Sequence, residues 1–197
     1  MSLRGNLQVP KAYGDEVDWL EAKFPNLHIN VTGSRYIKFK DNEVLNVLLA
    51  NNIGDSTGVT EADIASVTKL NRMFAGNTAI TSFKEYAKFP ITEIASQEFN
   101  GCTNLKELSI PRTLTRIGEN ALAGSGLESI VIPNTVTWVG ARPFGQNSDY
   151  WKHIVFEDGF KTTYNPVNGV TGINFGKITK DGVLEELVLP DNFGEYI

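Results

Sequence analysis

The chain is poor in the residues that most often carry chemistry: one cysteine and two histidines in 197 residues. With Cys102 alone no internal disulfide can form, and a lone cysteine does not report a redox compartment. His28 and His153 stand at no spacing to Cys102 that suggests a metal site or a nucleophile–base pair. Gly124-Ser125-Gly126 is not a nucleophile elbow, and no glycine-rich phosphate loop follows a strand. Long apolar runs are missing, so no segment is expected to cross a bilayer. The start, MSLRGNLQVPKAYGDEVDW, lacks the apolar core of a secretory signal, so Sec-type export is not expected from this sequence itself. There is no basic excess either. A net charge of −5 gives no electrostatic footprint for nucleic acid or an anionic membrane. No enzyme and no cofactor is expected.

What is present is a repeat. Ile110-Pro111 returns as Ile132-Pro133, and Ile117-Gly118 as Val139-Gly140, each 22 residues later. Leu105, Leu108 and Ile110 return as Leu127, Ile130 and Ile132 at the same interval, then as Trp151, Ile154 and Phe156 after 24, across a turn lengthened by Asn147-Ser148. Apolar residues at fixed places in a period of the twenties predict a solenoid of short strands stacked coil on coil. The block Phe74–Phe83 aligns with Phe99–Leu108 at 25 residues, and Leu184–Pro190 reproduces Leu105–Pro111.

Within a coil, Leu108 and Ile110 follow the two-residue period of a strand, and Pro111, lacking an N–H, stops it. Leu114 and Ile117 mark a second strand, and residues 120–124 a compact turn of helix closed by glycine. The inner columns are expected to be Leu108, Ile130, Ile154, Leu187 and Ile110, Ile132, Phe156, Leu189. Cys102 falls in a small inward slot and is expected to be inert.

Before the repeats, residues 1–57 read as a small α/β cap and arm, which a solenoid needs to cover its apolar end. Asp15–Phe24 is an amphipathic helix; Leu27–Val31 and Tyr36–Phe39 form a possible hairpin; Asp41-Asn42 caps a helix over 43–50. Residues 58–90 hold a helix and a degenerate first coil, 91–160 the regular repeats, and 161–197 an irregular insertion with a final coil. A hairpin through Ile173–Ile178 is one reading of the insertion. The stretch 51–67 faintly resembles a calcium loop, but Gly54 falls where a ligand is required. A capping box, Thr60-x-x-Asp63, is the simpler reading. Asn30-Val31-Thr32 is a sequon with meaning only in a eukaryotic secretory setting.

The run F-x-G-C-T-N-L-x-x-L-x-I-P followed by L-T-x-I-G-x-N-A-L resembles the BspA-like class of leucine-rich repeats, found in surface proteins of gut and oral bacteria and in some of their viruses. Phe99, Gly101, Cys102, Leu105, Leu108, Ile110, Pro111, Ile117, Gly118 and Ala121 carry the match. The resemblance implies a non-catalytic binding or adhesion role with a protein or glycan partner at a cell surface. An alternative from another class is a structural component of a virion or similar assembly. The outward slots nominate Lys106, Glu107, Glu128, Val131, His153 and Val155 on the first strand of the coil, Arg116 and Trp138 on the second, and Tyr150 beside them. Trp151 holds the slot of Leu105 and Leu127 and is expected in the core.

Overall fold

The computed structural model describes residues 5–9, 14–25, 27–31, 34–145, 150–161 and 183–189. The Asn147-Ser148 turn, the Ile173–Ile178 hairpin and the Thr32-Gly33 turn lie outside these residues. The chain divides into two compact units, residues 1–66 and 67–197.

In the first unit, β1 (Gly5–Val9), α1 (Gly14–Lys23) and β2 (Leu27–Val31) form a strand–helix–strand unit whose strands are parallel, Gly5 opposite Leu27 and Val9 opposite Val31. This corrects the expected hairpin. A helix between two strands supplies the crossover that parallel pairing requires. The segment Tyr36–Phe39 turns elsewhere: the Ile37 N–H donates to Val59 O at 2.8 Å, and the Glu61 N–H to Arg35 O at 2.8 Å. These bonds also tie residues 58–61 to the segment 35–37. Asp41 caps α2 (Asn42–Ala50) by accepting the Glu43 N–H at 2.9 Å, and Val44 and Leu48 are buried beneath it. In α3 (Glu61–Ile64) the capping box is present in both directions. The Asp63 N–H donates to Thr60 Oγ1 at 3.3 Å, and Asp63 Oδ2 accepts the Thr60 N–H at 2.7 Å. The Asp63 carboxylate thus terminates a helix.

In the second unit the strands are short because proline or a turn follows each one. They are β3 (Ser82–Phe83), β4 (Glu93–Ile94), β5 (Glu107–Leu108), β6 (Arg116–Ile117), β7 (Ser129–Ile132), β8 (Trp138–Val139), β9 (His153–Phe156) and β10 (Glu186–Val188). Every pairing among them is parallel. One sheet has the order β4-β6-β8, with Ile94, Ile117 and Val139 in one file. On the other side, β3 pairs with β5, and β7-β9-β10 form a three-stranded sheet. There Ile154 lies between Ile130 and Leu187, and Ile132 faces Phe156.

Partners one repeat apart are also joined outside the strands. The N–H groups of Gln97, Phe99 and Gly101 donate to the carbonyls of Glu119, Ala121 and Ala123 at 2.8–2.9 Å. Those of Asn120 and Leu122 donate to Ala141 and Pro143 at 3.1 and 2.8 Å. The expected turn of helix over 120–124 is therefore a run of turns, since some of its N–H groups bond the neighbouring repeat instead of residue i−4. Arg72, Gln97, Asn120 and Arg142 hold the same left-handed backbone position in successive repeats. Threonine hydroxyls add a further tie. Thr113 Oγ1 donates to Ile91 O at 2.7 Å and Thr115 Oγ1 to Thr92 O at 3.0 Å.

Between the sheets lie Ile94, Ile117, Ile130, Ile132, Val139, Ile154 and Phe156, all buried. Trp151 is buried too, its indole N–H donating to Phe144 O at 3.1 Å. Cys102 is buried, its Sγ donating to Phe74 O at 3.0 Å, and burial pushes the thiol up to about 11. Two members of the expected inner columns differ. Leu187 and Leu189 are 38% and 36% exposed, because β10 has a strand on one side only among the described residues. Leu108 and Ile110 are only half-buried.

One buried carboxylate was not anticipated. Glu98 is fully buried and accepts the N–H groups of Arg72 and Phe74 from the preceding repeat. Burial raises its pKa to about 6, against the lowering effect of those N–H groups and of the Arg72 charge. The folded protein holds this proton more tightly than the unfolded chain does. Its contribution to stability is therefore full below the unfolded value of 4.5 and is lost as pH rises through about 6. The lost contribution is about 2 kcal/mol. Urea unfolding of wild type and Glu98→Gln between pH 4.5 and 7.5 should show the wild type losing about 2 kcal/mol relative to the variant as pH rises. A difference that stays constant across this window would refute the assignment.

Candidate binding surface

The two parts of the β3-to-β10 side do not join. β5 pairs with β3 and β7 pairs with β9, but no ladder connects β5 to β7 among the described residues. The two repeats are nevertheless joined elsewhere. Ahead of the opening the Gly126 N–H donates to Cys102 O at 3.0 Å, and on the β6-β8 side the Thr137 and Trp138 N–H groups donate to Thr115 O at 2.9 and 3.2 Å. The result is a split confined to this side of the repeats. It forms a groove of about 580 Å³ whose walls include Leu108, Ser109 and Ile110 on one side and Ser129, Ile130 and Val131 on the other. Leu108 and Ile110 are half-buried because this side of them is open.

A local cause is visible in the chain. β3, the strand that pairs with β5, is cut to two residues, since Lys84–Lys88 turns into a 3₁₀ helix after Phe83. β5 stays with this short neighbour: the Lys106 N–H donates to Thr81 O at 2.8 Å. β7 and β9, four residues each, pair along their whole length instead.

The exposed side of β7-β9-β10 carries a row of valines in register, Val131, Val155 and Val188. Val131 is 51% exposed, an unusual position for a valine on a sheet whose opposite side is packed. Charged pairs border this row. At one end Arg112 and Glu157 form an ion pair, and the Arg112 guanidinium, as hydrogen-bond donor, lowers the Glu157 pKa. At the other, Lys152 donates to Glu128 at 2.7 Å, which lowers the Glu128 pKa and raises that of Lys152. His153 lies between two carboxylates, Nε2 at 3.5 Å from Glu185 and Nδ1 at 3.5 Å from Glu186.

The sequence nominees therefore fall in four places. Val131, His153 and Val155 line the groove. Lys106, Glu128 and Tyr150 cluster at its border: the Lys106 ammonium donates to Gly126 O at 2.9 Å and stands 5.0 Å from the Tyr150 ring. Glu107 faces the other way, accepting from Ser82 Oγ at 2.6 Å and pairing with Lys84 at 2.9 Å. Arg116 and Trp138 are on the β4-β6-β8 sheet, with the guanidinium 4.1 Å from the centre of the half-buried indole. Leu108, Ile110 and Arg112 were not nominated. Their signal was the break at Lys84, where the strand pattern of the repeat stops early.

The periodic parallel ladders, the left-handed turns and the glycines at close approach define a repeat protein built on short strands. The BspA-type leucine-rich repeat pattern matches residues 66–178 in six copies. The chain belongs to that family. No curated protein and no solved structure matches it. No helix among the described residues is long and apolar enough to cross a membrane.

Proposed function

We propose that the chain is a non-catalytic interaction module. Its repeats wind coil on coil as a solenoid and present the β7-β9-β10 side to a protein partner at a cell surface. The parallel ladders, offset by one repeat, support the winding. The binding assignment is carried by one observation: the groove opens directly onto the row of exposed Val131, half-buried Val155 and exposed Val188. An exposed apolar row with a charged border is a feature of interaction sites. The role is one of contact, since the ionisable groups bordering the groove are engaged in ion pairs with one another.

The test uses labelled full chain on intact bacterial and cultured mammalian cells. Binding that is abolished by prior trypsin treatment of the cells identifies a protein partner. Val131→Lys, which adds a charge to the valine row at an exposed site, should reduce this binding by about tenfold or more, while Trp138→Ala leaves it unchanged. Loss with Trp138→Ala and retention with Val131→Lys would move the site to the other sheet.

A further inference from the structure

The shape and charge of the groove define what kind of segment fits it. We propose that the groove receives an extended polypeptide laid across the strands, with one apolar side chain seated in the split between β5 and β7. A lysine or arginine three or four residues further on then meets Glu185 and Glu186. This inference rests on the reading of the β7-β9-β10 side as the binding surface.

Three observations lead to it. First, the Gly126 to Cys102 bond ties the split at its start, and the same two repeats stay joined on the β6-β8 side by Trp138 to Thr115, so the split cannot widen freely. A whole added strand would require the repeats to separate further, whereas one side chain can enter without breaking either tie. Second, the walls of the split are aliphatic, from Leu108, Ile110 and Ile130, with the hydroxyl-bearing residues Ser109 and Ser129 beside them. An apolar side chain gains by covering these half-open residues. A sugar ring would look for an aromatic face, but the Trp138 indole belongs to the other sheet and the Tyr150 ring lies near the Lys106 ammonium.

Third, the charge lies to one side. Glu185 and Glu186 are 60% and 54% exposed, and their ion-pair partner among the described residues is His153. The nearby Lys152 is engaged with Glu128. Glu185 also acts electrostatically on Lys152, yet both carboxylates stay more than half exposed, so this border is the solvent-accessible acidic one, in a chain whose net charge is −5. Neighbouring strands are about 4.8 Å apart, so the Glu186 file lies roughly 12 Å from the middle of the split. An extended chain advances about 3.3 Å per residue, which places the basic residue three or four positions after the apolar one. The valine row lies under the intervening residues.

The experiment is a selection from a random dodecapeptide library displayed on phage, panned against the immobilised full chain. Enriched sequences should carry an aliphatic or aromatic residue followed three or four positions later by lysine or arginine. A synthetic peptide of the leading sequence, followed by fluorescence anisotropy, should lose about tenfold in affinity for Glu185→Gln/Glu186→Gln and for Val131→Lys. Both variants change exposed residues, and thermal melting verifies that they fold. No enrichment, enrichment without this spacing, or undiminished binding to the double glutamine variant would overturn the inference. Peptides that lose binding to Val131→Lys but not to the double variant would sink the charge assignment and leave the surface standing. Peptides indifferent to both would remove the surface as well.

Discussion

Alanine in place of Gly118 is expected to destabilise the second unit by about 3 kcal/mol or more, seen as a fall in Tm of roughly 10 °C. A Cβ at this position would lie 2.3 Å from the Ser96 N and 2.6 Å from the Ser96 Cα. Both are backbone atoms of the preceding repeat, so rotation of a side chain cannot relieve the clash. The spacing is also held from within, since the Gly118 N–H donates to Ile94 O at 2.8 Å. The same geometry recurs one repeat later, where a Cβ at Gly140 would meet the Glu119 N at 2.6 Å. Gly140→Ala should therefore behave similarly, and the Ile-Gly and Val-Gly pairs of the sequence mark places where two repeats come into close backbone contact. Gly76→Ala gives a contrast: a Cβ there meets no atom within 4 Å, and the cost comes from its φ of +73°. A Gly118→Ala protein that melts with the wild type would show that the repeats are further apart than described.

Phe83→Ala is expected to cost about 3–5 kcal/mol. The ring is fully buried and lies 5.2 Å from Phe74, 5.2 Å from Tyr86 and 5.6 Å from Phe89, centroid to centroid. Removing it deletes the shared member of three aromatic pairs and leaves a cavity that neighbours on short strands and a 3₁₀ helix can fill only in part. In a repeat protein such a loss is felt most by the adjoining repeats. Hydrogen exchange should show amides of residues 74–105 opening first, before those of β7 and β9. Uniform loss of protection across the whole second unit, or a change under 1 kcal/mol, would contradict this. Val131→Ala, at an exposed site, should by comparison change stability by no more than about 0.5 kcal/mol.

Much of the fold was legible because repeats report their own period. Ile130 and Ile132 could be aligned with Ile154 and Phe156 from spacing alone, and they are paired in that register. Trp151 was assigned to the core by its slot, and it is there. The Thr60–Asp63 cap was legible from local chemistry, as was the Asp41 cap. The first unit was harder. Leu27–Val31 carries a strand pattern, but nothing local tells a strand whether its partner is the segment before the helix or the one after it. Glu98 escaped attention for a related reason: its acceptors' partners, the N–H groups of Arg72 and Phe74, come from the preceding repeat.

The nominated surface was legible in part. Outward slots can be read from a two-residue period, and Val131, His153 and Val155 do share one side. Arg116 and Trp138 also point outward, but from another sheet, since a coil has more than one outer side and spacing does not say which are adjacent.

By itself the sequence determined the repeat, its period, its family and most of the residues turned inward, because those follow from where apolar side chains recur along the chain. Only the tertiary structure decided that β5 and β7 part company and that a groove opens beside the valine row. Whether neighbouring strands pair depends on main-chain groups that every residue carries alike. It is settled by how the short β3, the 3₁₀ turn, the tie at Gly126 and the β6-β8 pairing share the available spacing.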